Sequence, residues 1–346
     1  MFFVRGVFSA VAGAVLFIAA YVPGTNAQTT LIGAGATFPY PMYSRWIMDY
    51  QKLHPEIEIN YEPVGSGEGI REITNGTIDF GASDAPMNDR QRAQYRQKYD
   101  MEILHFPTVL GADVPTYNIP GTTAELRFVP AALAGIFLGT ITKWNDPLLS
   151  AANPNVQLPD HEIVVVFRSD GSGTNYIWTD FLAKISEEWK RTVGVGTSVK
   201  FPVGSSAMGN SGVASTVKET PFSIGYVELA YALEKKLPYG SVRNQAGRFV
   251  KAEVASVTAA AETLRGMPED FRVSITNAPG GRAYPISSFT WLLVPEKFRD
   301  KSKSKALKDF LRWILTDGQR LTAIHQYAPL PKEVVTWEQQ ALAKVQ

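Results

Sequence analysis

The chain has no cysteine among its 346 residues, which excludes disulfides, thiolate catalysis and zinc–thiolate sites. Histidine is almost as scarce. The four, His54, His105, His161 and His325, lie far apart and form no H-E-x-x-H spacing, so neither a metal nor a cofactor is expected. Neither sign of charge dominates: 34 Lys and Arg against 33 Asp and Glu leave a formal net charge of +1. Without a long basic run, nucleic acid is not an expected partner. Internal repeats and low-complexity segments are missing too, while the length is enough for two domains with full cores.

The first 27 residues differ in kind from the rest. Arg5 precedes an apolar stretch from Val7 to Val22, and Thr25-Asn26-Ala27 follows as a small-residue cleavage site. This is the layout of a secretory signal peptide over residues 1–27. An uncleaved membrane anchor is the alternative, for which the stretch is short and carries Ser9 and Gly13. No cysteine follows the apolar region, which closes the lipid-anchored export route. A soluble, exported mature protein is expected.

What the mature chain does have is a series of glycine and serine turns at the ends of strands. The clearest is Arg168-Ser169-Asp170-Gly171-Ser172-Gly173-Thr174, after a β-branched run from Ile163 to Phe167 and before Asn175 to Lys184, whose Ile177, Trp178, Phe181 and Leu182 recur at helical spacing. A strand feeding a helix through such a turn presents free N–H groups and the positive end of the helix dipole, a geometry that suits an anion. Arg168 adds a planar five-donor guanidinium, and Ser172 and Thr174 add hydroxyls. Asp170 would repel an anion and reads as the partner that orients Arg168. The competing interpretation is a structural Ser/Gly helix cap with a surface Arg–Asp pair.

Two similar turns occur earlier. Gly33-Ala34-Gly35-Ala36-Thr37-Phe38-Pro39 precedes a helix carrying Met42, Trp46, Ile47 and Tyr50; it lacks the third glycine and later acidic residue of a dinucleotide fingerprint. A backbone anion nest with a threonine donor fits it better. Gly65-Ser66-Gly67-Glu68-Gly69 follows the alternating Ile57, Ile59 and Tyr61, and opens a helix at Ile70. Ile78 to Pro86 reads as a short buried strand ending on Ser83-Asp84, where Asp84 is either a ligand group or a turn residue; Asn88-Asp89 reads as the next helix cap. Met101 to Val109 and Val114 to Ile119 read as strands broken around Gly111, the first crossing between domains. Pro130 to Leu138 reads as a helix, Gly204 to Gly212 as a loop ahead of a helix from Val213, and Ser223 to Tyr226 as a strand. Ala252 to Leu264 reads as helical, Tyr284 to Val294 as a long return strand, and Ala306 to Ile324 as an amphipathic core helix. Strands alternating with helices mean an α/β fold. Turns from two lobes facing one cleft would close on a small oxyanion.

Gly33 to Pro39, Asp79 to Pro86, Ile141 to Pro147 and Arg168 to Thr174 resemble the periplasmic phosphate-binding proteins of phosphate ABC importers. The likeness continues through Phe201-Pro202-Val203-Gly204, Gly225-Tyr226-Val227-Glu228 and Tyr284-Pro285-Ile286-Ser287-Ser288, covering almost all of the mature chain. The resemblance implies a two-lobed, type II periplasmic-binding-protein-like α/β fold with a hinge of two or three crossing segments. Residues 28–109 and 284–346 would form lobe I, and 110–283 lobe II. It also implies that Thr37, Phe38, Ser66, Asp84, Arg168, Ser172, Gly173 and Thr174 bind inorganic phosphate, with Asp84 taking the ligand's proton and so rejecting sulfate. Membrane permease subunits would be the partners, the protein a periplasmic monomer, and catalysis none. Glu68 departs from the family's small residue there, and its direction is open. A secreted phosphatase is the rival class, but no Gly-x-Ser-x-Gly elbow, triad motif or His–carboxylate cluster supports it. A receptor for sulfate or molybdate is a third reading, against which Asp84 argues.

Overall fold

The computed structural model describes residues 1–3, 28–122 and 124–346; apart from its first three residues, the expected signal segment lies outside them. Among the described residues no helix is long and apolar enough to cross a membrane.

Among the described residues eleven strands and twelve α-helices follow in order. The strands are β1 (Thr29–Gly35), β2 (Ile57–Glu62), β3 (Phe80–Ser83), β4 (Ile103–Asn118), β5 (Arg127–Phe128), β6 (Val164–Arg168), β7 (Ser205–Ala207), β8 (Ser223–Glu228), β9 (Ser241–Arg243), β10 (Phe249–Val250) and β11 (Ser287–Pro295). The helices are α1 (Tyr40–Leu53), α2 (Ser66–Asn75), α3 (Asp89–Tyr99), α4 (Pro130–Leu138), α5 (Pro147–Ala152), α6 (Gly173–Ile185), α7 (Glu187–Thr192), α8 (Gly209–Glu219), α9 (Leu229–Glu234), α10 (Val254–Ala261), α11 (Lys301–Leu315) and α12 (Lys332–Ala341). Eight strands make one sheet in the order β2-β1-β3-β11-β4-β8-β6-β7; β10-β9-β5 form a small second one. Within the large sheet β1 runs parallel to β2 and β3, β6 runs parallel to β7 and β8, and β11 and β4 run antiparallel to their neighbours.

The strand that organises the sheet is β4, 16 residues long and buried along almost its whole length. Residues 103–112 pair with β11 and residues 113–118 with β8, so β4 changes partner between Ala112 and Asp113. The expected break at Gly111 does not occur. Glycine is there for room, since a Cβ would sit 2.5 Å from the Phe38 ring. The loop expected from 204 to 212 likewise holds β7 and the start of α8, four residues before Val213. Its first turn has no apolar residue to betray it. The amphipathic run from Ala306 belongs to α11, which begins at Lys301 and gives way to 3-10 turns after Leu315. Asn88 caps α3 in a capping box, as its sequence implies.

Candidate anion-binding site

Strand β6 ends on Arg168, and four residues later Ser172 caps α6, its hydroxyl accepting from the Asn175 N–H at 3.0 Å. The first N–H groups of α6, at Gly173 and Thr174, therefore have no intrahelical acceptor, while the Ser172 hydroxyl keeps a proton to donate. Arg168 donates from Nε to Asp170 Oδ1 at 2.8 Å, from Nη2 to Oδ2, and from Nη1 to Thr174 Oγ1 at 3.1 Å. Two of its five N–H donors remain free for another group. The guanidinium is only 1% exposed, which disposes of a surface Arg–Asp pair. Burial alone would raise the Asp170 pKa, but Arg168 and the Gly209 N–H, at 2.9 Å, outweigh it and hold the carboxyl below its ordinary range. From behind, the Arg168 N–H donates to the Tyr226 hydroxyl at 3.2 Å. That hydroxyl donates to Asn175 Oδ1 at 2.6 Å, and the Tyr226 ring stacks on Trp178.

Asp84 follows β3 and is held in the opposite manner. Among the described residues no cation bonds to it. Thr290 of β11 donates to Oδ1 at 2.6 Å and Ser66 to Oδ2 at 3.3 Å, while the Asp84 N–H donates to Ser66 Oγ at 3.1 Å. Burial raises its pKa to about 7, only partly offset by the Thr290 hydroxyl, the charge of Arg168 and the Ser66 hydroxyl.

The two turns meet. The Gly67 N–H donates to the Gly171 carbonyl at 2.7 Å. At Gly173 a Cβ would lie 2.3 Å from Asp84 Oδ2 and 2.4 Å from Ser66 Oγ, so only glycine lets the α6 turn approach that carboxyl. The first turn joins through Asn210, whose Nδ2 donates to both Thr37 Oγ1 and Thr174 Oγ1 at 2.9 Å. Tyr231 donates to the Thr37 carbonyl at 2.6 Å and Tyr327 to that of Phe38 at 2.7 Å. Thr37, Ser66, Asp84, Arg168, Ser172, Gly173 and Thr174 thus form one buried cluster. The Phe38 ring is also buried, against Gly111 and Tyr327, leaving its backbone N–H as the group it can offer. Glu68 turns to Arg71, with Nε to Oε2 at 2.8 Å, and adds no charge to the cluster.

A family model described as a PBP superfamily domain matches residues 22–318. The phosphate-binding protein PstS of Pasteurella multocida is 43% identical, the match covering 90% of this chain and 89% of that one. PstS of Methanocaldococcus jannaschii is 40% identical, covering 92% and 90%. The chain belongs to the PstS family of phosphate-binding proteins. In fold it is similar to a crystal structure of a phosphate-binding protein from Stenotrophomonas maltophilia, with TM-score 0.71 and 18% identity over 90% of this chain and 93% of that one. The two-lobed α/β architecture implied by the motifs is the architecture of this family, whose curated members are named as binding proteins rather than enzymes.

Sequence reasoning missed three residues of the cluster. Asn210 sat inside what read as a loop ahead of a helix. Thr290 lies within a strand that is buried throughout, with no local signal. Tyr226 stood in a matched motif, but the hydroxyl's role emerges only from its position behind Arg168.

Proposed function

We propose that the chain is an exported receptor that binds inorganic phosphate between its two lobes and passes it, in the periplasm, to the permease of an ABC importer. On this reading residues 28–109 with 284–346 form one lobe and 110–283 the other, the phosphate ligands are the cluster residues together with the Phe38 N–H, and the protein acts as a monomer. The observation that carries it is the carboxyl of Asp84, 1% exposed, held by hydroxyls and set against the Arg168 loop. Phosphate near neutral pH keeps a proton that an ionised Asp84 accepts. Sulfate has none, and the same carboxylate would face only its lone pairs in a desolvated cleft. A site built around a hydrogen-bonding group of its ligand rejects the analogue lacking it by roughly 10⁴- to 10⁵-fold. The other contacts are N–H and O–H dipoles and one guanidinium whose charge is opposed by Asp170.

Calorimetry with phosphate and with sulfate tests the assignment. Asp84→Asn should lower the phosphate-over-sulfate ratio by about 10⁴; a mutant that still ignores sulfate while holding phosphate tightly defeats it. The ratio for the unmodified protein should also shrink as pH falls below about 7, where Asp84 gains its own proton. Arg168→Ala should weaken phosphate binding more than Ser66→Ala, because charge-assisted contacts are the stronger kind; the reverse order would demote Arg168 to a rim residue.

A further inference from the structure

Where β4 changes partner, Asp113 stands directly opposite Glu228 of β8. The Asp113 N–H donates away from β8, to the Ile286 carbonyl at 3.0 Å, and its own carbonyl accepts from the Tyr284 hydroxyl at 2.9 Å. The two acids are therefore a non-hydrogen-bonded cross-strand pair, the kind whose side chains lie closest, on one face of the sheet. That face looks toward the anion cluster. Gly111, two residues before Asp113 and on the same face, would place a Cβ 2.5 Å from the Phe38 ring and 3.3 Å from Glu228 Oε1. Glu228 Oε2 accepts from the Ala230 N–H at 2.8 Å and lies 2.9 Å from the Tyr327 hydroxyl, whose single proton it shares with the Phe38 carbonyl. Glu228 Oε1 and both oxygens of Asp113 are buried with no hydrogen-bond partner among the described residues.

We propose that Asp113 and Glu228 form a proton-holding carboxyl pair beneath the anion site, so that above neutral pH the chain takes up a proton from solvent as it binds phosphate. The inference rests on the phosphate reading above. Two carboxylates facing each other in a dry space repel strongly, whereas one proton between them lets an acid donate to a carboxylate. Burial pushes both groups well above the carboxylate range, reinforced for Asp113 by Asp84 and Glu228 and opposed by Arg168. The remaining titratable neighbours are the phenols of Tyr226, Tyr231, Tyr284 and Tyr327, all raised themselves. An incoming anion adds negative charge above the pair, which favours its protonated form. The signal is also structural, since the Glu228 N–H holds Asn210 Oδ1 at 2.9 Å, and Asn210 holds Thr37 and Thr174.

The test titrates phosphate into the mature chain by calorimetry from about pH 6 to about pH 10, in buffers of different ionisation enthalpy, for the unmodified protein, Asp113→Asn and Asp113→Val. The ratio of unmodified to variant Kd should climb at least about tenfold across that range, with fewer protons taken up by the variants. A ratio constant throughout, with equal proton counts, overturns the pair alone. No phosphate binding at any pH overturns the phosphate reading and the pair with it. If neither variant folds, Asp84→Asn decides, because Asp84 can then no longer supply or take the proton: near pH 9 phosphate is already the dianion, so proton uptake supports the pair and none overturns it.

Discussion

Asp84 and Asp170 are the same side chain in the same cluster, yet the structure drives them in opposite directions. Asp170 accepts from a guanidinium and a backbone N–H and is held ionised. Asp84 accepts only from two hydroxyls, lies deeper, and is pushed to about 7. The difference teaches that a carboxylate near an anion site has two uses. One, paired with a cation, fixes the cation's direction without changing the ligand's protonation. The other, left without a cation, is poised near neutrality, the state in which the proposed exchange of a proton with phosphate becomes possible.

The widest gap should appear in the pH dependence of stability without ligand. Asp84 has a folded pKa above its unfolded one, so its contribution is fully present below about pH 4 and is lost as pH rises through about 7. Asp84→Asn should therefore gain stability over the unmodified protein by on the order of 4 kcal/mol between those limits, read from denaturant melts across pH. A flat difference would break the comparison. Asp170→Asn should go the other way, with Arg168 losing its buried counter-charge: about 2–3 kcal/mol less stable near neutral pH, and weaker for phosphate. Unchanged melts and affinity would show that Arg168 needs no orienting partner. The smallest effect belongs to Glu68, whose carboxyl is engaged by Arg71 at the surface. Glu68→Gln should shift stability and phosphate affinity by less than about 0.5 kcal/mol, and a larger shift would mean that its charge reaches the cluster.

The Arg168 turn was legible because everything that builds it is local: a β-branched strand, a Gly/Ser turn and a helix within about twenty residues. Helix α4 matched its sequence limits for the same reason, with Pro130 at its first position and Gly139 in the left-handed conformation closing it. Asp84 was ambiguous locally, since Ser-Asp after a strand is an ordinary turn, and only the family likeness singled it out. Gly111 was misread because a glycine that breaks a strand and one that admits a ring from another loop look alike in sequence. Asn210 and Thr290 carried no signal, because neither periodicity nor turn chemistry marks a side chain whose partners lie elsewhere.

By itself the sequence determined the exclusion of thiol chemistry, the α/β alternation, the glycine and serine turns and, through its motifs, the family. The tertiary structure decided which acid is charged and which is near neutral. Asp84 meets Thr290 across 206 positions of the chain, and Thr37 meets Asn210 across 173. Proton affinity depends on desolvation and on neighbours within a few ångströms, and those neighbours are assembled only when distant segments pack together.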